Sequence, residues 1–362
     1  MTESSSSSPP KTVFIVGAGA SKEVGLPIGS ELKKLIATAL DIQVARGSYQ
    51  LTGGNQHIYE ALRHTAVQNP TQRDLLRSLQ SACWKIRDAM PQATSIDSFL
   101  DVHSDDKHIE LVGKLAIVQA ILEAEAESRL FVDPLQANQR IDFESVESTW
   151  FNGFFQRLTA NCKQSDLAER LSSVALIIFN YDRCIEHYLY YALQNFYPSL
   201  NATRVGSLLR DMAIYHPYGT VGSLPWFDRD SIIEYGDTPS SGQLLELTGQ
   251  IKTFTEGTDE SSSDVTAIRS HMRTSHRLVF LGFAFHTLNM DLLSPNTGGM
   301  SPPAGRSIFA TGFGISHNDR EAILNDLGVR GVLSSGPIHT HNEFTCSRLF
   351  QEHSRGLSFT RP

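Results

Sequence analysis

A four-residue apolar run, Val13-Phe14-Ile15-Val16, passes without a break into Gly17-Ala18-Gly19-Ala20-Ser21. This junction constrains the fold more than any other stretch. A short, largely β-branched run with no polar alternation reads as a strand buried on both faces, as in parallel sheets. Glycines directly after it permit a tight turn and a close approach of backbone to a pyrophosphate. The spacing is Gly17-x-Gly19, with Lys22 where a dinucleotide fingerprint has its third glycine, so the motif is incomplete. A strand-to-helix turn that binds nothing would look the same. Gly25-Leu26-Pro27-Ile28-Gly29 then signals a loop. Ser30 is placed to cap a helix, with Glu31 near its positive end and Leu32, Leu35, Ile36 and Leu40 along one face.

The strand-and-helix rhythm breaks off and later returns. From about 47 to 170, apart from Gly53-Gly54, glycines are sparse and apolar residues recur at helical spacing. Ile109, Val112, Leu115, Ala116 and Ile121 place one long helix there. The rhythm resumes with a second buried strand at 174–179. Further strands are expected at 212–215, 278–281, 307–310 and 329–333, and helices through Ile185, Leu189 and Leu193, near 244–254 and over 317–327. The expected fold is α/β: a Rossmann-like parallel sheet from residues 11–46 and 171–340, interrupted by a mainly helical insertion at 47–170. Residues 1–10, with serines 4–8 and two prolines, read as a disordered polar tail rather than a secretory signal. Residues 341–362 carry no clear pattern.

Composition narrows the function. The chain has 362 residues, 40% hydrophobic and 19% charged, with a net charge of -8. An acidic chain lacks the basic face that coating nucleic acid requires, so no direct nucleic-acid binding is expected. No apolar run approaches the roughly 18 residues of a membrane span. Cys83, Cys162, Cys184 and Cys346 lie far apart in sequence. That is not the paired spacing of a zinc site, and it suits reduced thiols in a cytoplasmic protein; no metal is expected.

In an open parallel sheet, ligands bind beyond the carboxyl ends of the strands. Four of the expected strands end in unusual residues: the Gly17 turn, Asn180-Tyr181-Asp182, His216-Pro217-Tyr218-Gly219, and Gly282-Phe283. Asn180 and Asp182 alternate with Tyr181, so both face one side. Asp182 could instead simply cap the helix that follows, and His216 could be a satisfied structural histidine.

Together these pieces resemble the SIR2-like proteins, relatives of the sirtuins found in bacterial anti-phage defence. The resemblance rests on Gly17–Ser21, Gly25-Leu26-Pro27-x-Gly29, Ser95-Ile96-Asp97-Ser98-Phe99-Leu100, Phe179-Asn180-Tyr181-Asp182, the His216–Gly219 turn, and Leu281-Gly282-Phe283 with Asn289, in the family's order. It implies NAD bound between a Rossmann domain and a helical module. Ala18, Gly19, Ala20, Ser21 and Pro27 would hold phosphates and ribose, and Gly282 and Phe283 the adenosine side. Asn180 and Asp182 would lie near the nicotinamide ribose, with Asn180 and His216 as the catalytic pair. The family often has histidine directly before the glycine of this turn. Here that place is Tyr218, which makes it the alternative base; its usual pKa near 10 suits the role less well.

The activity this implies is NAD hydrolysis to nicotinamide and ADP-ribose. Nicotinamide leaves neutral, so the reaction needs a placed water and stabilisation of a cationic sugar. Asn180 would orient the water, His216 would take its proton, and Asp182 would steady the cation. Two other readings compete. One is a non-catalytic NAD or ADP-ribose sensor or scaffold in a defence complex. The other is a protein deacylase, weakened because the four-cysteine zinc module of sirtuin deacetylases has no counterpart in this spacing. No Walker loop occurs, so any ATP-driven step would come from a partner ATPase or nuclease subunit. A homo-oligomer is expected. His286 is a further possible ligand contact, and Trp226 either a lid or a loop anchor. Tyr188, Tyr190 and Tyr191 read as packing residues, and His103 and His108 as part of a solvated turn.

Overall fold

β1 (Thr12–Val16) is buried at every position, as its unbroken apolar run requires. In the computed structural model, which describes residues 12–45, 50–67, 72–135, 139–227, 231–253, 256, 262–294 and 302–359, β1 is an inner strand of a six-stranded sheet. A short antiparallel ribbon follows, β2 (Gln43–Val44) with β3 (Leu51–Gly53). The remaining sheet strands are β4 (Val174–Ile178), β5 (Ala213–Tyr215), β6 (Arg277–Leu281), β7 (Ser307–Thr311) and β8 (Ile338–His341). Their spatial order is β5-β4-β1-β6-β7-β8, every neighbour parallel. Counting the strands of this sheet alone, that order is 3-2-1-4-5-6, the doubly wound Rossmann arrangement. The expected tail at 1–10 and Lys11 lie outside the described residues.

The period-2 alternation of each strand sorts its residues onto two faces. Phe14, Val16, Leu176, Ile178 and Leu281 join one core with Trp150, Phe151 and Phe154 of the 150–159 helix and with the 184–196, 202–210 and 346–352 helices. Val13, Ile15, Ala175, Ile177 and Phe280 join the other, against the 263–274, 287–293 and 317–329 helices. Each such side chain removed from water contributes about 1.5–3 kcal/mol before entropy is counted.

The region from 47 to 170 serves two layers. Helices 56–67, 72–89, 96–102 and 107–127 form a third core together with the 29–39 and 241–248 helices. Helices 150–159 and 167–172 pack instead on the sheet. The 107–127 helix is apolar almost all round because it lies at the centre of the third core. Asp106 caps its start, accepting from the His108 and Ile109 amides at 3.0 and 3.2 Å.

One expected strand is corrected. Residues 329–333 form no strand: Val329 ends the 317–329 helix, and Val332 N–H returns to the Leu327 carbonyl at 2.9 Å. The sixth strand is Ile338–His341, an edge strand that is exposed or half-buried throughout. The helix near 244–254 is also shorter and earlier, spanning Ser241–Thr248 with Ser240 as cap. Ser30 lies inside its helix. Its N-cap is Ile28, whose N–H is accepted by Glu31 at 3.1 Å.

Candidate functional site

The chain leaves β1 for β4 on one side, then crosses from β5 to β6 on the other. The crevice between β1 and β6 is therefore where strand order reverses, the place where such sheets bind ligands. The two turns that bound it are locked together by glycine. A Cβ on Gly17 would lie 2.5 Å from the Gly282 carbonyl oxygen, and one on Gly282 would lie 2.1 Å from the Ala20 nitrogen. Gly282 also has φ +55°, which disfavours any side chain. Gly19 N–H donates to the Gly282 carbonyl at 3.1 Å and Ala20 N–H to that of Gly17 at 2.9 Å. The glycines thus permit backbone to approach backbone, and the Gly19 amide is already bonded.

Above this junction lies a cavity of about 750 Å³, within the range of small-molecule sites. Its floor includes Gly17, Ala18, Gly19, Gly282 and Phe283. Gly29 and Ser30, at the start of the 29–39 helix, open onto it. Phe179, Tyr181 and Tyr218 come from the strand ends, Ser95 and Asp97 from the helical module, and Gly312–Ile315 with Phe344–Cys346 from the far side. Residues 341–362, unassigned from sequence, thus supply part of a wall. Glu23, also in the wall, ties three segments together: its carboxylate accepts from the Trp150 and Ser347 amides, each at 2.8 Å.

Of the expected cofactor-binding residues, Ala18, Gly19, Gly282 and Phe283 line this cavity; Ala20, Ser21 and Pro27 are not in its wall. His286 and Asn289 are. Asn180, Asp182 and His216 are not. The alternation expected at this strand end is present, but the cavity takes Phe179 and Tyr181. Asn180 and Asp182 point to a buried polar cluster beside it.

That cluster has a definite chemistry. Asn180 Nδ2 donates to Ser21 Oγ at 3.2 Å, while its Oδ1 is buried and finds no hydrogen-bond partner among the described residues. Asp182 Oδ1 accepts from the Cys184 amide at 3.1 Å, the first amide of a helix whose N-cap is Arg183 rather than Asp182. Burial raises the Asp182 pKa against these hydrogen bonds. His216 Nε2 meets Glu186 Oε1 at 2.5 Å, and Nδ1 meets the Asn180 carbonyl at 3.3 Å. The Glu186 carboxyl group and the Asn180 carbonyl thus engage both ring nitrogens. Burial disfavours a charge on His216, but the Glu186 carboxylate and both hydrogen bonds outweigh it and raise the His216 pKa. Both ring nitrogens of His216 are thus engaged, and neither is free to act as a base. Sequence reasoning missed Glu186, which lies four residues beyond Asp182 on the helix that follows.

The wall also holds a pair missed as a pair. Tyr181 donates to Asp97 across 84 positions of sequence in a short hydrogen bond. Burial raises the pKa of both groups. Tyr218, the alternative base, donates to Asn289 Oδ1 at 2.6 Å, and burial pushes its pKa up, so it too is a poor base at neutral pH.

Trp226 and Tyr188 serve packing rather than the cavity. Trp226 stacks on Tyr190 at 4.6 Å, away from the cavity wall, as a loop anchor. Tyr188 is buried against Phe151 and Phe155. Among the described residues no group of three or more His, Cys, Asp or Glu is placed to hold a metal ion, and no helix is long and apolar enough to cross a membrane. Compared with known proteins, the chain matches no family model and no curated protein.

Proposed function

We propose that this chain is a SIR2-like protein that binds NAD in the cavity over the β1–β6 crevice and hydrolyses the nicotinamide–ribose bond. One observation carries the reading: a 3-2-1-4-5-6 parallel sheet has a cavity of about 750 Å³ at its switch point, floored by the glycine turn after its first strand. The residues present suit the ligand. The wall is mostly apolar, with aromatic rings, one carboxylate deep in the helical side, and a helix start for an anionic group.

The chemistry assigned to this chain's own groups differs from the simple pair expected from sequence. Asn180 Oδ1, buried without a partner, orients the attacking water. His216 acts through its pairing with Glu186 rather than as a base. The carboxyl groups of Asp182 and Glu186 lie beside Asn180 in this cluster and would favour a developing sugar cation.

The second reading, a sensor that binds NAD or ADP-ribose without cleaving it, is favoured by the engagement of both His216 nitrogens and by the position of Asn180 behind the wall. Purified protein is incubated with NAD, and free nicotinamide is followed by chromatography. Release that is lost in Asn180→Ala supports hydrolysis. Binding of NAD with no release supports the sensor, and absence of binding removes both readings.

A further inference from the structure

Three histidines outside the Asn180 cluster gather where β8 meets the 346–352 helix. His339 and His341 lie two apart on β8 and so share one face of it. His353 ends the helix as its C-cap. His341 Nε2 and His353 Nε2 share a hydrogen bond at 2.9 Å. The His339 ring lies 4.7 Å from that of His353 and stacks on Phe309 at 4.8 Å. The bond between His341 and His353 closes a loop of chain. Within that loop Phe344, Thr345 and Cys346 form part of the cavity wall. Phe344 stacks on His341 itself, at 4.0 Å. The loop has two further ties. Gly312 N–H donates to the His341 carbonyl at 2.9 Å, and Ser347 N–H to the Glu23 carboxylate at 2.8 Å.

A bond between two imidazoles carries a condition. One ring nitrogen donates and the other accepts, so at least one ring must be neutral. With both rings protonated there is no acceptor, and two like charges face each other. We infer that the His341–His353 bond is a pH-sensitive latch on this wall of the cavity, closed while either ring is neutral and released in acid when both are protonated. The latch acts on the wall whatever ligand the cavity takes. The surrounding charges set where it releases. Burial and the neighbouring His339 hold both pKa values below the ordinary 6.5, helped by Arg320 at His341 and by His341 at His353. Arg320 reaches over from the 317–329 helix, where its Nε donates to Thr340 Oγ1 at 2.8 Å. Glu352, paired with Arg348, pulls the other way. With both values lowered, the latch contributes fully above pH 6.5 and is lost as pH falls through them.

The test is amide hydrogen exchange of the full chain at about pH 7.5 and about pH 4.5, with labelling times scaled to the intrinsic exchange rate. Residues 344–352 should be protected at the higher pH and lose about tenfold of that protection at the lower, while β1 and β4 keep theirs. His353→Gln supplies a neutral partner that can donate or accept at either pH. It should keep the segment protected at both. His353→Ala removes the partner and should leave the segment about equally unprotected at both. Unchanged protection of 344–352 in the native chain overturns the latch. So does an acid loss of full size in His353→Gln, which would assign the effect to Glu23 or another carboxylate. A loss shared equally by β1 and β4 overturns it too, since the whole chain would then be unfolding in acid. The native comparison decides alone should either variant fail to fold.

Discussion

Four consecutive residues, Phe179 to Asp182, divide between two environments. Phe179 and Tyr181 face a cavity walled by rings and by the carboxyl groups of Asp97 and Glu23. Asn180 and Asp182 face a buried cluster in which Ser21, His216 and Glu186 are joined by hydrogen bonds. The first side is open to a ligand and mixes rings with Lys22, Glu23, Asp97 and His286. The second is closed, and its polar groups bond largely to one another. The chain bends at Asn180 and Tyr181 just beyond β4, and the packing there sends alternate side chains to opposite sides. The lesson is that the residues that shape a pocket and those that charge it need not be the same. A polar pair at a strand end identifies the neighbourhood of a site without identifying its wall.

The comparison breaks most severely where both sides share a frame. Gly282→Ala introduces a Cβ 2.1 Å from the Ala20 nitrogen at φ +55°. It should cost about 3 kcal/mol or more, seen as lost folded yield or a large fall in melting temperature. A variant that melts like the native protein would show that the two turns do not meet this closely.

On the closed side, Asn180→Ala should reduce nicotinamide release about 100-fold or more while NAD affinity stays within about threefold. Loss of affinity without loss of turnover would place Asn180 in the wall after all.

Glu186→Gln probes the charge pair. The His216 pKa is raised above its ordinary 6.5 in the folded protein. The pair therefore stabilises fully below pH 6.5, and its contribution fades as pH rises through the raised value. Denaturant melts should show a loss of about 2 kcal/mol at pH 6 that shrinks towards pH 9. A loss that grows with pH would mean that His216 is neutral in the folded state.

The smallest effect is expected on the open side. Tyr181→Phe removes one hydroxyl from Asp97 and should lower stability by about 1 kcal/mol in the same melts.

Much of the frame is legible in the amino-acid order. β1, β4, β6 and β7 are buried on both faces, so their apolar runs stand out. β8 does not, because Ile-His-Thr-His lies at an edge and needs no apolar run. The Val-Arg-Gly-Val-Leu run at 329–333 resembles a strand, but Val332 is buried beneath a helix end. The site is less legible than the fold. Alternation at 179–182 shows which residues share a side, but tertiary packing decides which side opens to the cavity. Asp97 and Tyr181 meet only because the helical module folds back over the strand ends, and no local pattern records that contact. The state of His216 depends on Glu186, whose position on the next helix reads in sequence as ordinary.

The central claim, that NAD occupies the cavity over the β1–β6 crevice, is tested most directly by amide hydrogen exchange with and without the dinucleotide. The account predicts slowed exchange in three separate segments that meet only at this cavity: the Gly17–Ser21 turn, residues 94–101, and residues 282–289. Protection confined to other segments, or none at saturating NAD, would contradict it.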